Sequence, residues 1–499
     1  MNVFKIYPNT YRDSVVLMKI ATSIRHLKGI QNAEVILATE ANKQILRLSS
    51  LYHPDMDQAG SADLIMSIVA ESQDSLEHGI REAERQIWGV GQDYAATRLV
   101  DALNVQPQSN LALLSIPGRY VREEALKALD NGLNLMIFSD NVPLESEREI
   151  KLRAKELGLI VMGPDCGTAV VGGVALAFAN KVNRGSIGIV GASGTGMQEL
   201  MVLLHNAGLG ISHAIGTGSN DIRDEIGALS MLAGIDMLEA DESTQNIILV
   251  SKPPAEKTRQ IVAKRLQACQ KPVIALFLGA YENKVEEGGV LYTTTLEETA
   301  LEAAAGIPHA AERIAPPIEM EQGGKGKLRF LYTGGTLAME ACLLLARAGF
   351  KTHSNVNCGG ALPLEDPHKS FGDCVVDLGA DDFTNGRPHP MIEPAMRGSR
   401  ILDEGRDPSV AAIMLDFVLG YGASADPVGQ TLVYIKEAQQ IAAEEGRKLR
   451  IFAYVCGTDM DKQDKKSQNE RLRACGVSTF DTNAQMVCAA IAYIGEDMR

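Results

Sequence analysis

Residues 185–218, GSIGIVGASGTGMQELMVLLHNAGLGISHAIGTG, limit the folds open to this chain more than any other stretch. An apolar run at 187–190 stops at Gly191-Ala192-Ser193-Gly194-Thr195-Gly196, and Leu200, Leu203 and Leu204 then recur at helical spacing. That order predicts a buried strand, a tight glycine turn and a helix start. Glycine lets the backbone approach a ligand closely, Ser193 and Thr195 add hydroxyls, and the unpaired N–H groups of a first helical turn carry partial positive charge. The expected ligand is an anion, most simply phosphate. The glycine order is not that of a dinucleotide GxGxxG, and no lysine completes a Walker loop. Thr195 stands where a nucleophile elbow needs its closing glycine, which argues against a serine hydrolase.

The same design occurs again downstream. Residues 328–332, LRFLY, end in Thr333-Gly334-Gly335-Thr336, and a helical pattern follows over 337–345. Both predicted helices close on an Ala-Gly pair, Ala207-Gly208 and Ala348-Gly349, the usual glycine stop. Two such units in one chain are expected to aim two positive helix ends at one phosphate. Ser193, Gly194, Thr195 and Gly196 would supply one end, and Gly334, Gly335 and Thr336 the other.

A chain of 499 residues is expected to form about two to four domains. Its net charge of −15, with no dense Lys/Arg block, makes nucleic acid and anionic membrane poor partners. The apolar runs are short and MNVFKIYPNT lacks a signal-peptide core, so a soluble, cytoplasmic protein is expected. Eight cysteines without a CxxC pair read as reduced thiols, and nine histidines without an HxxxH give no reason to expect zinc or another metal.

The rhythm of strands and helices predicts an α/β protein of several doubly wound domains preceded by a small α+β unit. The α+β unit spans 1–95, with strands near 3–7, 34–38 and 64–70; its first turn, 8–14, has no glycine and suits a helix cap better than a pyrophosphate. A Rossmann-like domain is expected over 96–180, a second α/β domain over 181–305, and a third over 328–499. Between the last two, 306–327 holds Pro316-Pro317 and Gly323-Gly324-Lys325-Gly326 and reads as a linker.

The run NLALLSIPGRYVREEALKALDNGLNLMIFSDNVP, then MGPDCGTAV and GSIGIVGASGTG, resembles the α subunit of succinyl-CoA synthetase. Residues 328–499, with TGGTLAMEA, resemble the C-terminal domain of that enzyme's β subunit. The joining of the two, with KPVIALFLG and DDFTNGRPHPMIEP, is similar to the FdrA group of acyl-CoA-synthetase-like proteins. The resemblance covers nearly the whole chain. It implies a CoA-binding-domain-like fold for 96–180, an α-like ligase domain for 181–305 and a β-C-terminal-like domain for 328–499.

In the synthetases the two helix ends face a phosphorylated histidine. Here residues 280–296, AYENKVEEGGVLYTTTL, contain no histidine, and Ser251-Lys252-Pro253 stands where the resemblance places a supporting glutamate. The ATP-grasp half and the glycine loop for the coenzyme A pyrophosphate are also missing. A phosphohistidine relay needs the imidazole, so a free phosphate compound is the expected ligand, with Lys252 adding positive charge. The FdrA group implies an activity, oxamate carbamoyltransferase of allantoin degradation, which exchanges carbamoyl phosphate and oxamate for phosphate and oxalurate. Separate partner subunits and homo-oligomerisation are implied with it. No cofactor is assigned, coenzyme A is disfavoured, and the ligand is carbamoyl phosphate or phosphate. Two alternatives stand beside this reading: a subunit of an ADP-forming acyl-CoA (succinate–CoA) ligase working with a separate ATP-grasp chain, and a non-catalytic phosphometabolite sensor or scaffold.

Residues 381–391, DDFTNGRPHPM, predict a rigid loop too rich in Pro and Gly for a helix. There Arg387 is expected to clamp a carboxylate or phosphate, Asn385 to bind the substrate beside it, and His389 to donate to the carbamoyl group or shuttle its proton. The bland alternative is a surface loop whose His389 caps a neighbour. Lys252, Arg387 and His389 are thus the expected catalytic residues. Cys166, in GPDCG, reads as a buried structural thiol, with Asp165 replacing the synthetases' asparagine. Asp416 and Asp459, at strand ends, read as caps rather than Mg²⁺ ligands.

Overall fold

The computed structural model describes residues 2–8, 10–49, 51–88, 98–358, 360–384 and 387–495. The chain divides into two compact units, 1–109 and 110–499.

The first unit is built on the apolar strand Leu64–Ala70, which pairs antiparallel with Asn2–Tyr7 on one side and Ile30–Leu37 on the other. Successive side chains of a strand point to opposite faces, and both faces are covered. Leu64, Met66 and Ile68 pack on Leu17, Ile20 and Ile24 of the helix Ser14–Arg25 and on Leu76 and Ala83 of Gln73–Trp88. Ile65 packs the other way, on Leu46, Leu51 and Met56. The glycine-free turn makes a cap, as its composition predicts: the Asp13 carboxylate accepts from Val15 N and Val16 N.

The second unit holds three sheets. A small parallel sheet, Leu111–Leu114, Asn134–Ile137 and Val161–Met162, carries the helices Gly118–Asp130 and Leu144–Leu157. The eight-stranded sheet has five parallel strands, ordered Val290–Thr293, Val273–Phe277, Asn246–Ser251, Arg184–Gly191, Ile211–Gly216. The hairpin Thr168–Val171/Val174–Ala177 extends it antiparallel beyond Ile211–Gly216. This hairpin precedes residue 180 in sequence, yet it pairs with strands that follow it. The third sheet has seven parallel strands with Lys327–Tyr332 at its centre. Residues 306–327, expected as a linker, are instead packed down: they form the short helix Ala310–Ile314, whose Ala310 and Ile314 are buried, and Gly323 and Gly324 donate to Tyr493 O. The 381–391 stretch also departs from expectation, because Asp381–Thr384 closes one helical turn.

The two glycine-loop helices, Gly194–Asn206 and Gly335–Arg347, each follow the central strand of their sheet. They are apolar almost all round and buried along most of their length, as a helix shared between two layers must be. Leu200, Leu203 and Leu204 of the first and Leu337, Ala341 and Leu345 of the second lie in one continuous core.

Each helix also sends one acid across to the other half. Glu199 accepts from Asn483 N, the first residue of the helix Asn483–Ile494, and from Tyr454 Oη. Glu340, at the matching position five residues after its helix start, accepts from Leu296 N, which opens the helix Leu296–Ala303, and from Asn483 Nδ2. The halves cap each other's last helices. Burial pushes the Glu199 carboxyl up to about 8 and that of Glu340 up to about 7, against the pull of these hydrogen bonds.

An acid raised in the fold is neutral there while its unfolded counterpart is ionised, so stability falls as pH rises from about 4.5 to about 8. Urea unfolding of the chain should therefore show a lower midpoint at about pH 8 than at about pH 6. Glu199→Gln should flatten part of that decline; a variant with the wild-type slope would assign the pH dependence elsewhere.

Candidate functional site

The carboxyl ends of the central strands in open α/β sheets are where ligands bind, because the strand order reverses there and leaves a crevice. Both glycine loops lie at such places, and the structure brings them into contact. Ser193 Oγ and Thr336 Oγ1 are 2.7 Å apart, and Thr336 N donates to Thr195 Oγ1 at 3.3 Å. Neither helix has a side-chain cap: Ser193 and Gly334 occupy the cap positions without bonding the first turn. Two sets of first-turn N–H groups therefore converge, with the hydroxyls of Ser193, Thr195 and Thr336 between them.

The glycines differ in what they do. A Cβ on Gly196 would lie 2.2 Å from Ser193 Oγ and 2.9 Å from Thr336 Cγ2, so this residue sets how closely the helices meet. A Cβ on Gly335 would lie 2.5 Å from Asp377 Oδ2, and one on Gly334 would lie 3.0 Å from Thr195 Cγ2. Gly194 is looser: its nearest neighbour is Thr168 Oγ1 at 3.4 Å.

Two acids support the second loop. Asp416 is fully buried at the end of the strand Val410–Val418 and accepts from Thr333 N at 2.7 Å, Gly334 N at 2.8 Å and Thr333 Oγ1. Arg397, also buried, pairs with it at 3.0 Å and lies over the Phe417 ring. Asp416, expected to cap the helix after its own strand, instead holds the glycine loop, and Asp426 caps that helix. The second acid, Asp377, ends the strand Asp373–Asp377; its Oδ1 accepts from Gly379 N at 2.9 Å. Burial pushes its carboxyl up to about 7, Asp416 and Asp381 add repulsion, and the Gly379 hydrogen bond and Lys252 pull it back. Sequence reasoning did not single out Asp377, although an acid at the end of a parallel strand beside a glycine loop was a usable signal.

Lys252 is exposed at the end of Asn246–Ser251, and its charge reaches both Asp377 and Cys358. Its positive charge is thus felt by Asp377, the acid beside the second helix end. His389 comes to the same place: its Nε2, Thr333 O and Asp377 Oδ1 all lie within 3.1 Å of where a Cβ on Gly379 would sit. Its Nδ1 accepts from Met391 N at 3.2 Å, which leaves the proton on Nε2. Among the described residues that Nε2–H has no hydrogen-bond partner. Burial holds the ring well below its usual range, at about 4, so it is a neutral donor at physiological pH. Arg387 is exposed, with no side-chain hydrogen bond or ion pair among the described residues. Asn385 lies outside the described residues.

Cys166 is buried and donates to Thr168 O at 3.4 Å; burial pushes its thiol up to about 12, as suits a structural cysteine. All eight cysteines are free thiols. Asp459, the other strand-end acid, is exposed and pairs with His205 at 2.9 Å. Asp165 is solvent-accessible yet set within enough protein that its carboxyl is pushed up to about 6, with Asp140, Asp381 and Glu147 adding repulsion.

Comparison with known proteins matches this architecture. A CoA-ligase family model covers residues 331–493, a CoA binding domain model covers 182–279, and a model described as AllF, heavy metal-associated domain, covers 1–97. The uncharacterized protein YahF of Escherichia coli (strain K12) is 42% identical over 510 residues, spanning 99% of each chain. The chain belongs to the FdrA-like family of acyl-CoA-synthetase-like proteins. A second relative of this FdrA-like chain, the succinate–CoA ligase [ADP-forming] subunit alpha 1 of Archaeoglobus fulgidus, is 26% identical over 184 residues, covering 36% of this chain and 62% of that one. Among solved structures, PH0766 from Pyrococcus horikoshii OT3 aligns over 81% of this chain and 86% of its own, at 17% identity and a TM-score of 0.35.

Two groups named by these models can be tested against the FdrA-like chain's own residues. A soft heavy-metal ion calls for thiolate ligands, but the first cysteine of the sequence is Cys166, and the His53 ring is stacked on Phe4 at 4.4 Å. The donor set of 1–97 does not fit such an ion. Around Asp165 the carboxylates of Asp140, Asp381 and Glu147 add repulsion, and the anionic pyrophosphate of coenzyme A does not fit that spot. No step below is routed through either group.

Gly196→Ala should lower the unfolding free energy by about 1–3 kcal/mol, because its Cβ forces the helix ends apart. Gly194→Ala should cost less. Urea titrations of the two variants check the ranking, and equal losses would contradict the tight meeting at Gly196.

Proposed function

We propose that this protein is a transferase subunit that binds a free carbamoyl or acyl phosphate at the paired helix ends, and that its reaction is that of oxamate carbamoyltransferase. The observation that carries this reading is the direct meeting of two uncapped helix N-termini with no histidine from 280–296 between them. Facing N-termini favour negative charge. The imidazole of His389, beside them, presents an N–H rather than a lone pair, which suits a hydrogen-bond donor and not a phosphoryl acceptor.

In this reading the phosphate rests on the first-turn N–H groups of 194–196 and on those of 335 and 337, Thr336 N being held by Thr195 Oγ1, with Lys252 alongside. His389 Nε2–H donates to the carbamoyl oxygen as charge gathers there. The oxamate nitrogen attacks the carbamoyl carbon, the new C–N bond forms, and the C–O bond to phosphate breaks. The proton lost by the nitrogen leaves on the phosphate, whose charge the helix ends stabilise. Arg387, on an exposed loop, serves as the clamp for the oxamate carboxylate, and Asn385, outside the described residues, is assigned to substrate binding. Separate partner subunits complete the assembly.

A second reading has support in the CoA-ligase match over 331–493: a subunit of an ADP-forming acyl-CoA ligase working with another chain. Co-purified assemblies supplied with carbamoyl phosphate and oxamate should release phosphate and form oxalurate. His389→Ala should lower kcat by about 10²–10³-fold, and Arg387→Ala should mainly raise KM for oxamate. A stable phosphoprotein from labelled ATP, or acyl-CoA formation, would favour the ligase instead; tight binding of carbamoyl phosphate without turnover in any assembly would favour a sensor.

A further inference from the structure

We propose that binding a phosphate-class dianion at the paired helix ends takes up one proton, and that this proton goes onto Asp377. The inference rests on the reading that the helix ends are an anion site. Asp377 is fixed in place from three sides. Asn355 Nδ2 donates to its carbonyl at 2.9 Å, its own N–H donates to Asn355 Oδ1 at 2.9 Å, and Oδ1 accepts from Gly379 N. The other oxygen, Oδ2, lies against Gly335, the first residue of the second helix, close enough that a Cβ there would be 2.5 Å away. An anion resting on that first turn therefore sits next to Oδ2. Two negatively charged oxygens at that range repel, whereas a protonated carboxyl donates a hydrogen bond to the same anion.

The surroundings favour the protonated form. Asp416 faces Asp377 from Val410–Val418 and Asp381 from the helical turn that follows it, while the Gly379 N–H and Lys252, from the end of Asn246–Ser251, oppose them. His389 sits beside Oδ1 as a neutral donor and contributes no compensating charge. With its carboxyl already raised to about 7, Asp377 needs little free energy to gain a proton near neutral pH, and an incoming dianion supplies it. This makes Asp377 a binding residue that selects for a fully ionised phosphate group.

Sulfate is the probe, because it stays a dianion across the working range and cannot supply or take the proton itself. Calorimetric titration of sulfate into the full chain, at about pH 8 in buffers of different ionisation enthalpy, should show uptake of about one proton per sulfate. The dissociation constant should rise about tenfold per pH unit above about 7. Asp377→Asn, whose amide N–H replaces the acid proton, should bind sulfate with no uptake and a flat pH profile. Lys252→Met should weaken binding and, because Lys252 holds the Asp377 carboxyl down, move the rise of the dissociation constant to higher pH. Wild-type binding without proton uptake, or uptake retained in Asp377→Asn, would overturn the assignment and leave the anion site standing. Failure of the wild-type chain to bind sulfate at all would overturn the anion site itself and this inference with it.

Discussion

Two helices aimed N-terminus to N-terminus repel. Each end carries the equivalent of about half a positive charge, and here the ends touch through Ser193, Thr195 and Thr336. A fold that brings them together needs negative charge at the junction. Asp416 supplies some from beneath the second loop and Asp377 lies at its side. Lys252 and His389 line the flank that Asp377 also faces, and under the proposed function an exogenous anion completes the balance there.

The rest of the molecule holds the two ends against that repulsion. The glycine-loop helices share one apolar core, and Glu199 and Glu340 cross between the halves to cap the closing helices of each other's sheets. Those acids are buried and raised to about 8 and about 7, so in their protonated form they act as hydrogen-bonding groups and spare the core an unpaired charge. The Asp416–Arg397 pair has the opposite character. Buried ion pairs add little to stability over apolar substitutes, but removing one partner costs about 3–5 kcal/mol; this pair's contribution is to hold Thr333 and Gly334 in a single geometry.

Much of this was legible in the sequence. The period-two and helical patterns gave the alternation of strands and helices, because local chemistry dictates it, while the pairing of 193–196 with 334–336 came from the duplicated glycine turns read with the resemblance to the synthetases. What pattern could not supply was long-range pairing. The hairpin Thr168–Val171/Val174–Ala177 joins a sheet whose other strands follow it, and Pro/Gly-rich 306–327 is packed down by Ala310 and Ile314. Within the site, His389 was expected from an unusual loop and does reach the second helix end, while Arg387 from that loop stays in solvent. Asp377 and the reciprocal glutamates were missed because single acids in apolar runs carry no sequence signal until their distant neighbours are known.

The central claim is that the paired helix ends form one anion site. It is tested most directly by locating an anion: crystals grown with selenate, read by the anomalous scattering of selenium. The account predicts one selenate within hydrogen-bonding distance of first-turn N–H groups from both Gly194–Asn206 and Gly335–Arg347, beside Lys252. Selenate bound elsewhere with this junction empty, or held by one helix end alone, would contradict it.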